Sequence, residues 1–238
     1  MAGDRLMEAA GEDIASRRGW LLEAASASVG KKGVMAVTGT ILVLFVIAHL
    51  LGNLQIFRGP DALNGYARLL RVEPALLWFD RLVLLAAALL HVIVGILLWL
   101  ENRAARPVGY ATRATVKATL ASRTMIYSGI IVMGFIIYHL LHLTFGAVGP
   151  SGYTFELSNV YQNVVQGFRD PFISVLYIVG QLLLYFHLSH GIQSMFQTFG
   201  FNHPKYETGV RRFGYGLAFL LAAGNISIPL AVLFRWVR

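Results

Sequence analysis

Five apolar stretches, each long enough to cross a lipid bilayer as a helix, constrain this chain more than any other feature. A membrane-spanning helix needs about 20 residues, and the stretches occupy residues 34–57, 77–100, 124–148, 172–198 and 214–234. Asp80 and Arg81 lie near the beginning of the second stretch; its remainder and the other four contain no Asp, Glu, Lys or Arg. The sequence therefore predicts an all-α integral membrane bundle of five transmembrane helices.

The composition agrees with a lipid environment and excludes several kinds of chemistry. Of the 238 residues, 56% are hydrophobic and 13% are charged, which is about half the charged share of a soluble domain. Because the chain has no cysteine, it forms no disulfide, thiolate nucleophile or iron–sulfur ligand. The net charge of +8 is spread over many loops, so we expect phospholipid head groups, and no nucleic acid, as its anionic partner.

The amino-terminal segment differs from the rest of the chain. Residues 1–33 contain several acidic residues and one short apolar run, which is unlike a cleavable signal peptide. We predict a cytoplasmic segment with a short amphipathic helix on the membrane surface, its apolar side formed by Ile14, Trp20 and Leu21. Residues 34–238 then form one membrane domain. Most of the 20 Lys and Arg lie beside the amino terminus and in the second and fourth loops, which predicts a cytoplasmic amino terminus, an external carboxyl terminus and the inner (cytoplasmic) membrane.

Six of the seven histidines lie within the predicted spans: His49, His91, His139, His142, His187 and His190. A single intramembrane histidine is often a hydrogen-bonding contact between helices. Six of them, without other ionisable side chains beside them, favour ligation instead. A neutral imidazole binds haem iron and requires no buried charge.

The depths of the histidines sort four of them into two pairs. With a rise of 1.5 Å per residue, His49 and His139 each lie about 5 Å to the outer side of their span centres. His91 and His187 lie roughly 3–4 Å to the cytoplasmic side. We therefore predict two bis-histidine sites, His49 with His139 for an outer haem b and His91 with His187 for an inner haem b.

His142 and His190 each follow a predicted ligand by three residues, on nearly the same helix face. Because their depths match His49 and His91 less well, we expect them to be hydrogen-bonding neighbours of haem propionates or quinone. Two HxxH motifs are also compatible with a metal ion, although zinc sites usually add a carboxylate or thiolate. Gly52, Gly95 and Gly191 lie three or four residues from a ligand, where a missing side chain lets a porphyrin approach; ordinary helix packing explains them equally well.

The motifs together resemble one family. They are His49-Leu50-Leu51-Gly52-Asn53-Leu54, Leu90-His91-Val92, Tyr138-His139-Leu140-Leu141-His142 and His187-Leu188-Ser189-His190-Gly191, followed by residues 196–204, FQTFGFNHP. This set is similar to the dihaem cytochrome b membrane anchor of succinate dehydrogenase/fumarate reductase, the complex II type with a single five-helix anchor. The resemblance extends over residues 30–238.

The resemblance implies an electron-transfer subunit. A flavoprotein partner would oxidise succinate, an iron–sulfur partner on the cytoplasmic face would pass electrons to this chain, and two haems would carry them to a quinone, often menaquinone. It assigns His91 and His187 to the haem nearer the iron–sulfur subunit. Some fumarate-reducing members carry a buried glutamate two residues before the fourth-span ligand; this chain has Tyr185 there, so the sequence gives no support for that proton route.

Further candidates surround the two predicted haems. Donors to the inner haem propionates are Lys32, Ser122, Arg123 and Gln197, although basic side chains at helix ends also snorkel to the membrane surface. For quinone we name Glu73, Tyr66 and Asn64 in the first outer loop, Asn53 behind them, and His203 in the last cytoplasmic loop. Glu73 precedes Pro74 and fits a plain turn as well, and His203 equally fits a loop residue without a role.

Two other functions remain open. One is the cytochrome b subunit of another quinone-linked dehydrogenase. The other is a transporter that uses its histidines as ligands, which would more often show internal repeats or helices broken near the midplane. We expect only Pro229 to interrupt a span, and no internal repeat.

Overall fold

The computed structural model describes residues 27–105, 124–201 and 203–238, and within these ranges every regular element is a helix. In chain order they are α1 (Ser28–Asn53), a 3₁₀ helix (Leu54–Arg58), α2 (Pro60–Leu69), α3 (Pro74–Ala104), α4 (Met125–Leu143), α5 (Val160–Phe168), α6 (Pro171–Thr198) and α7 (Pro204–Leu233). Three predicted features lie outside the described residues: most of the amino-terminal segment, residues 1–26, together with Ser122 and Arg123.

Five helices in the described ranges, α1, α3, α4, α6 and α7, are long and apolar enough to cross a membrane, which confirms the predicted fold class. The ends of these helices differ from the ends of the apolar stretches in the sequence. Helix α7 begins at Pro204, ten residues before the fifth run, and His203 caps it by accepting a hydrogen bond from the Lys205 N–H at 3.2 Å. A helix can continue into water beyond the bilayer, so the apolar run marks the membrane and not the helix. Helix α7 also continues through Pro229, which is buried inside it.

Four spans carry the histidines, and α7 supports them from one side. Helix α1 packs against α3, α6 and α7, and α6 packs against α4 and α7. A buried apolar cluster fills the seam between α1, α6 and α7: Leu50, Leu188, Ile192, Ala218 and Leu221. At Gly224 an added Cβ would lie 2.8 Å from a methyl carbon of Leu50, so glycine allows α7 its close approach to α1.

Two short helices that the sequence did not predict close one end of the bundle. Helices α2 and α5 lie in the loops before α3 and α6, and they share a buried apolar cluster with the ends of α6 and α7. Asn64 joins them, since its Nδ2 donates to Asn159 Oδ1 at 3.1 Å and its Oδ1 accepts from the Tyr161 N–H at 3.0 Å. Both helices are too short and too polar to appear as spans. We call this the outer end, and the opposite end the inner end.

Candidate functional site

Four histidine rings from four different spans face one another in two pairs. The ring centroids of His49 on α1 and His139 on α4 are 5.7 Å apart, with the planes at 88°. Those of His91 on α3 and His187 on α6 are 6.2 Å apart, with the planes at 66°. The structure therefore brings the predicted partners together, the first pair toward the outer end and the second toward the inner end.

The two separations fit a metal ion that binds one nitrogen of each ring. Metal–imidazole bonds are about 2 Å long, so two of them on opposite sides of one ion place the ring centroids about 6 Å apart. All four histidine residues are half-buried although they lie within long helices. Among the described residues no group of three or more His, Asp or Glu side chains is placed to hold a metal ion. A six-coordinate haem iron takes two ligands from protein, and each histidine pair supplies two.

Two hydroxyl groups that we did not predict contact the inner pair. Thr38 Oγ1 on α1 lies 3.1 Å from His91 Nδ1, and Ser128 Oγ on α4 lies 3.4 Å from His187 Nδ1. Both side chains are buried. Serine and threonine are common in membrane helices, so residue type alone did not single them out.

A repeat in α1 and α4 carries these residues, and the expectation of no internal repeat was wrong. Residues 38–51 read TGTILVLFVIAHLL and residues 128–141 read SGIIVMGFIIYHLL. In both segments the first residue carries a hydroxyl group, the second is glycine, the eighth is phenylalanine and the twelfth is histidine. The repeat lies in unbroken helices that face each other through their histidines, unlike the discontinuous helices of transporters.

His142 lies in an aromatic pocket under α5. It is fully buried, its Nδ1 shares a 3.0 Å hydrogen bond with Tyr177 Oη, and within the described residues its Nε2 has no hydrogen-bond partner. A Cβ added at Gly167 would lie 2.5 Å from that Nε2. The ring is therefore enclosed by protein side chains, and its predicted place beside a haem propionate or quinone stays a prediction.

Tyr153, in the loop before α5, closes this pocket. Its Oη donates to the backbone oxygen of His142 at 3.3 Å, and the two rings are 5.3 Å apart. Burial, with a smaller contribution from Tyr138, raises the pKa of Tyr153 to about 12. The phenol is therefore a neutral hydrogen-bond donor at physiological pH, and it ties the loop to the end of α4.

The predicted glycines have several different neighbours. An added Cβ at Gly52 would lie 2.4 Å from a ring carbon of Tyr66, so this glycine admits the tyrosine ring. At Gly95 the nearest side chain is Met35, and at Gly191 it is Met125, at 3.6 and 3.5 Å. In the part of the chain that the structure describes, two glycines that we did not predict, Gly39 and Gly129, face the rings of His91 and His187.

The remaining inner candidates lie at or near helix ends. Lys32, Gln197 and His203 are exposed, and His190 is half-buried one turn after His187. Lys31, beside Lys32, pairs with Glu101 and joins the beginning of α1 to the end of α3. Tyr185 packs against the buried seam between α1, α6 and α7.

The outer candidates fall into two groups. Asn64 uses both ends of its amide to join α2 and α5, and Tyr66 packs on Gly52. Asn53 is half-buried at the end of α1, and Glu73 is exposed directly before α3. Of these, Glu73 has the accessible carboxylate that an exchange of protons with water requires.

The fold and the paired histidines define a class: a multi-pass helical membrane protein in which four spans carry two pairs of facing histidines. A family model described as the succinate dehydrogenase/fumarate reductase transmembrane subunit matches residues 100–223, just over half of the chain. The chain belongs to this family. Searches of curated proteins and of solved structures found no match.

The family match places the chain in a membrane complex with the other subunits of succinate dehydrogenase/fumarate reductase. The family is of the cytochrome b type, which suggests haem. The matched residues contain one histidine of each pair, His139 and His187. The partners of these histidines, His49 and His91, precede the match, so the geometry of the pairs is an observation separate from it.

Proposed function

We propose that this chain is the dihaem anchor of a succinate:quinone oxidoreductase. It would bind two b-type haems between α1, α3, α4 and α6 and connect an iron–sulfur partner to a membrane quinone. One observation carries the proposal: two histidine pairs, at centroid separations of 5.7 and 6.2 Å, lie at different depths in a bundle of this family. Bound haem iron would supply one-electron transfer, chemistry that the side chains of this chain lack.

The four histidines suit this role by their charge and by their depths. Neutral imidazoles ligate the iron without placing an extra charge in the bilayer. Thr38, which contacts His91, precedes His49 by eleven positions. Eleven positions correspond to about 16 Å of helix, which separates His91 from His49 along the bundle. Two cofactors at these depths would divide the membrane into shorter steps for an electron.

The direction of the chain follows from charge. Lys and Arg predominate on the side of the amino terminus, which the positive-inside rule assigns to the cytoplasm. We therefore place His91 and His187 nearer the cytoplasmic flavoprotein and iron–sulfur partners, in the inner (cytoplasmic) membrane. Phospholipid would surround the exposed leucines and phenylalanines of the spans.

Quinone would bind near one of the two histidine pairs. On the outer side the candidates are the exposed acid Glu73 and the half-buried Tyr66 and Asn53; on the inner side His203 is exposed. The family resemblance favours menaquinone. Apart from Asp80 at the beginning of the second, no carboxylate lies in the apolar spans. Because Tyr185 packs against protein, we assign no transmembrane proton route to this chain.

Succinate-driven reduction of the haems tests the proposal. In the complex purified with its partner subunits, we expect succinate to reduce b-type haem and an added menaquinone analogue to reoxidise it, both followed by visible absorbance. Malonate, which competes with succinate at the flavoprotein, is the control and should block the reduction. Haem that dithionite reduces but succinate does not would contradict the proposal and favour another quinone-linked dehydrogenase.

A further inference from the structure

The two buried hydroxyl groups at the inner pair stand in the same relation to their histidines. Thr38 Oγ1 has three nearby partners: the Val34 carbonyl at 2.7 Å, His91 Nδ1 at 3.1 Å and the Met35 carbonyl at 3.3 Å. Ser128 Oγ likewise has the Met125 carbonyl at 3.0 Å and His187 Nδ1 at 3.4 Å. In both cases a carbonyl of the same helix is the nearest partner.

From the nearer carbonyls we infer which group donates. A hydroxyl has one proton and two lone pairs, and a carbonyl only accepts. Thr38 and Ser128 therefore donate to the carbonyl of the preceding turn. Each hydroxyl oxygen is left to accept from the ring, which requires the proton of His91 and of His187 to be on Nδ1. The Nε2 atom of each ring then carries a free lone pair.

The glycine that follows each hydroxyl makes room for the ring. A Cβ added at Gly39 would lie 3.4 Å from His91 Cε1, and one added at Gly129 would lie 3.3 Å from His187 Cε1. The two halves of the site are thus alike in donor geometry and in spacing. A chance contact would not be expected twice at the same position of a repeat.

The repeat also links the two histidine pairs. In α1 the histidine follows the hydroxyl residue by eleven residues, and in α4 by the same number. Eleven residues are about three helical turns, so hydroxyl and histidine lie on the same helix face. His49 and His139 also each have a phenylalanine one turn before them, Phe45 and Phe135, at ring distances of 5.2 and 6.2 Å. Each repeat therefore supplies one outer ligand and the support for one inner ligand.

We propose that Thr38 and Ser128 are positioning residues, which fix His91 and His187 as Nε2 ligands of the inner haem through a repeated hydroxyl–glycine pair on α1 and α4. The inference rests on the proposed function, since it concerns the haem site described above. Groups that hold the second nitrogen of a ligating histidine set its tautomer and orientation and raise its basicity. A more basic imidazole stabilises the ferric state, so losing these hydrogen bonds raises the midpoint potential.

Four variants of the whole complex test the assignment. Thr38→Val and Ser128→Ala remove the hydroxyl groups, and Thr38→Ser and Ser128→Thr retain them. The matched controls are Thr40→Val and Ser227→Ala, because these hydroxyls also donate to their own helix, at 2.8 and 2.7 Å, without a histidine partner in the described structure. The measurements are haem affinity, from transfer of haem to apomyoglobin, and the potentials of both haems by redox titration.

We expect the inner haem of the Thr38→Val, Ser128→Ala double variant to bind about 10-fold or more weakly, with a raised potential and a shifted ferric EPR signal. The outer haem, the controls and the hydroxyl-retaining variants should keep the parent values. Unchanged inner-haem affinity, potential and EPR signal in the double variant would overturn the positioning role. Absence of b-type haem from the parent complex would instead refute the proposed function, so the two failures are distinct.

Discussion

Replacing His91 with alanine should remove one of two b-type haems and leave the other with its original spectrum and potential. His91 and His187 face each other at 6.2 Å, away from the pair formed by His49 and His139. His187→Ala should therefore remove the same haem as His91→Ala, whereas His49→Ala and His139→Ala should each remove the other. Haem content per chain and the reduced-minus-oxidised spectrum at low temperature measure the outcome.

The remaining histidines provide the controls for this set. His203→Ala should retain both haems, because this side chain is exposed and caps α7. His142→Phe should also retain both, since that ring is enclosed by protein. If His91→Ala and His139→Ala removed the same haem, the pairing derived from depth and geometry would be wrong.

Replacing Gly167 with alanine should lower the stability of the outer end. The added Cβ would lie 2.5 Å from Nε2 of the buried His142 ring, which has Tyr177 on its other nitrogen. Overpacking of this kind typically costs about 1–3 kcal/mol, more than the roughly 0.5–1 kcal/mol that alanine gains over glycine in a helix. We expect thermal unfolding of the detergent-solubilised complex to begin several degrees lower.

Gly216→Ala is the matched control, because an added Cβ at this α7 position meets nothing within 4 Å. It should leave the melting temperature unchanged or slightly raised. The cost of Gly167→Ala should also shrink in a His142→Ala background, since neighbouring substitutions couple. An equal cost in both backgrounds would contradict the close contact between α5 and His142.

The sequence was sufficient to predict the spans and which histidines would meet. Spans appear in the sequence as apolar runs because a helix that crosses the bilayer needs about 20 predominantly apolar residues. The pairing of His49 with His139, and of His91 with His187, followed from a fixed rise per residue and alternating helix directions. Ligation of haem by these four residues stays a prediction, supported by the geometry of the rings and by the family.

Features that depend on contacts between distant segments were not predicted. Helices α2 and α5 owe their positions to Asn64 and to a cluster shared with α6 and α7. His142 is enclosed by Gly167, a residue in a loop helix that the apolar pattern does not show. Thr38 and Ser128 were not predicted, because a single hydroxyl residue in a span carries no signal of its own. Alignment of the first span with the third, at His49 and His139, places the two hydroxyl residues at the same position.

The most direct test of two bis-histidine haems is the EPR spectrum of the oxidised complex, combined with haem quantitation. We predict two haem b per chain, with two low-spin ferric signals that titrate at different potentials and no high-spin signal in intact protein. A single haem per chain, or a high-spin ferric signal of comparable intensity, would contradict the account, because either result requires that one of the two histidine pairs does not ligate iron.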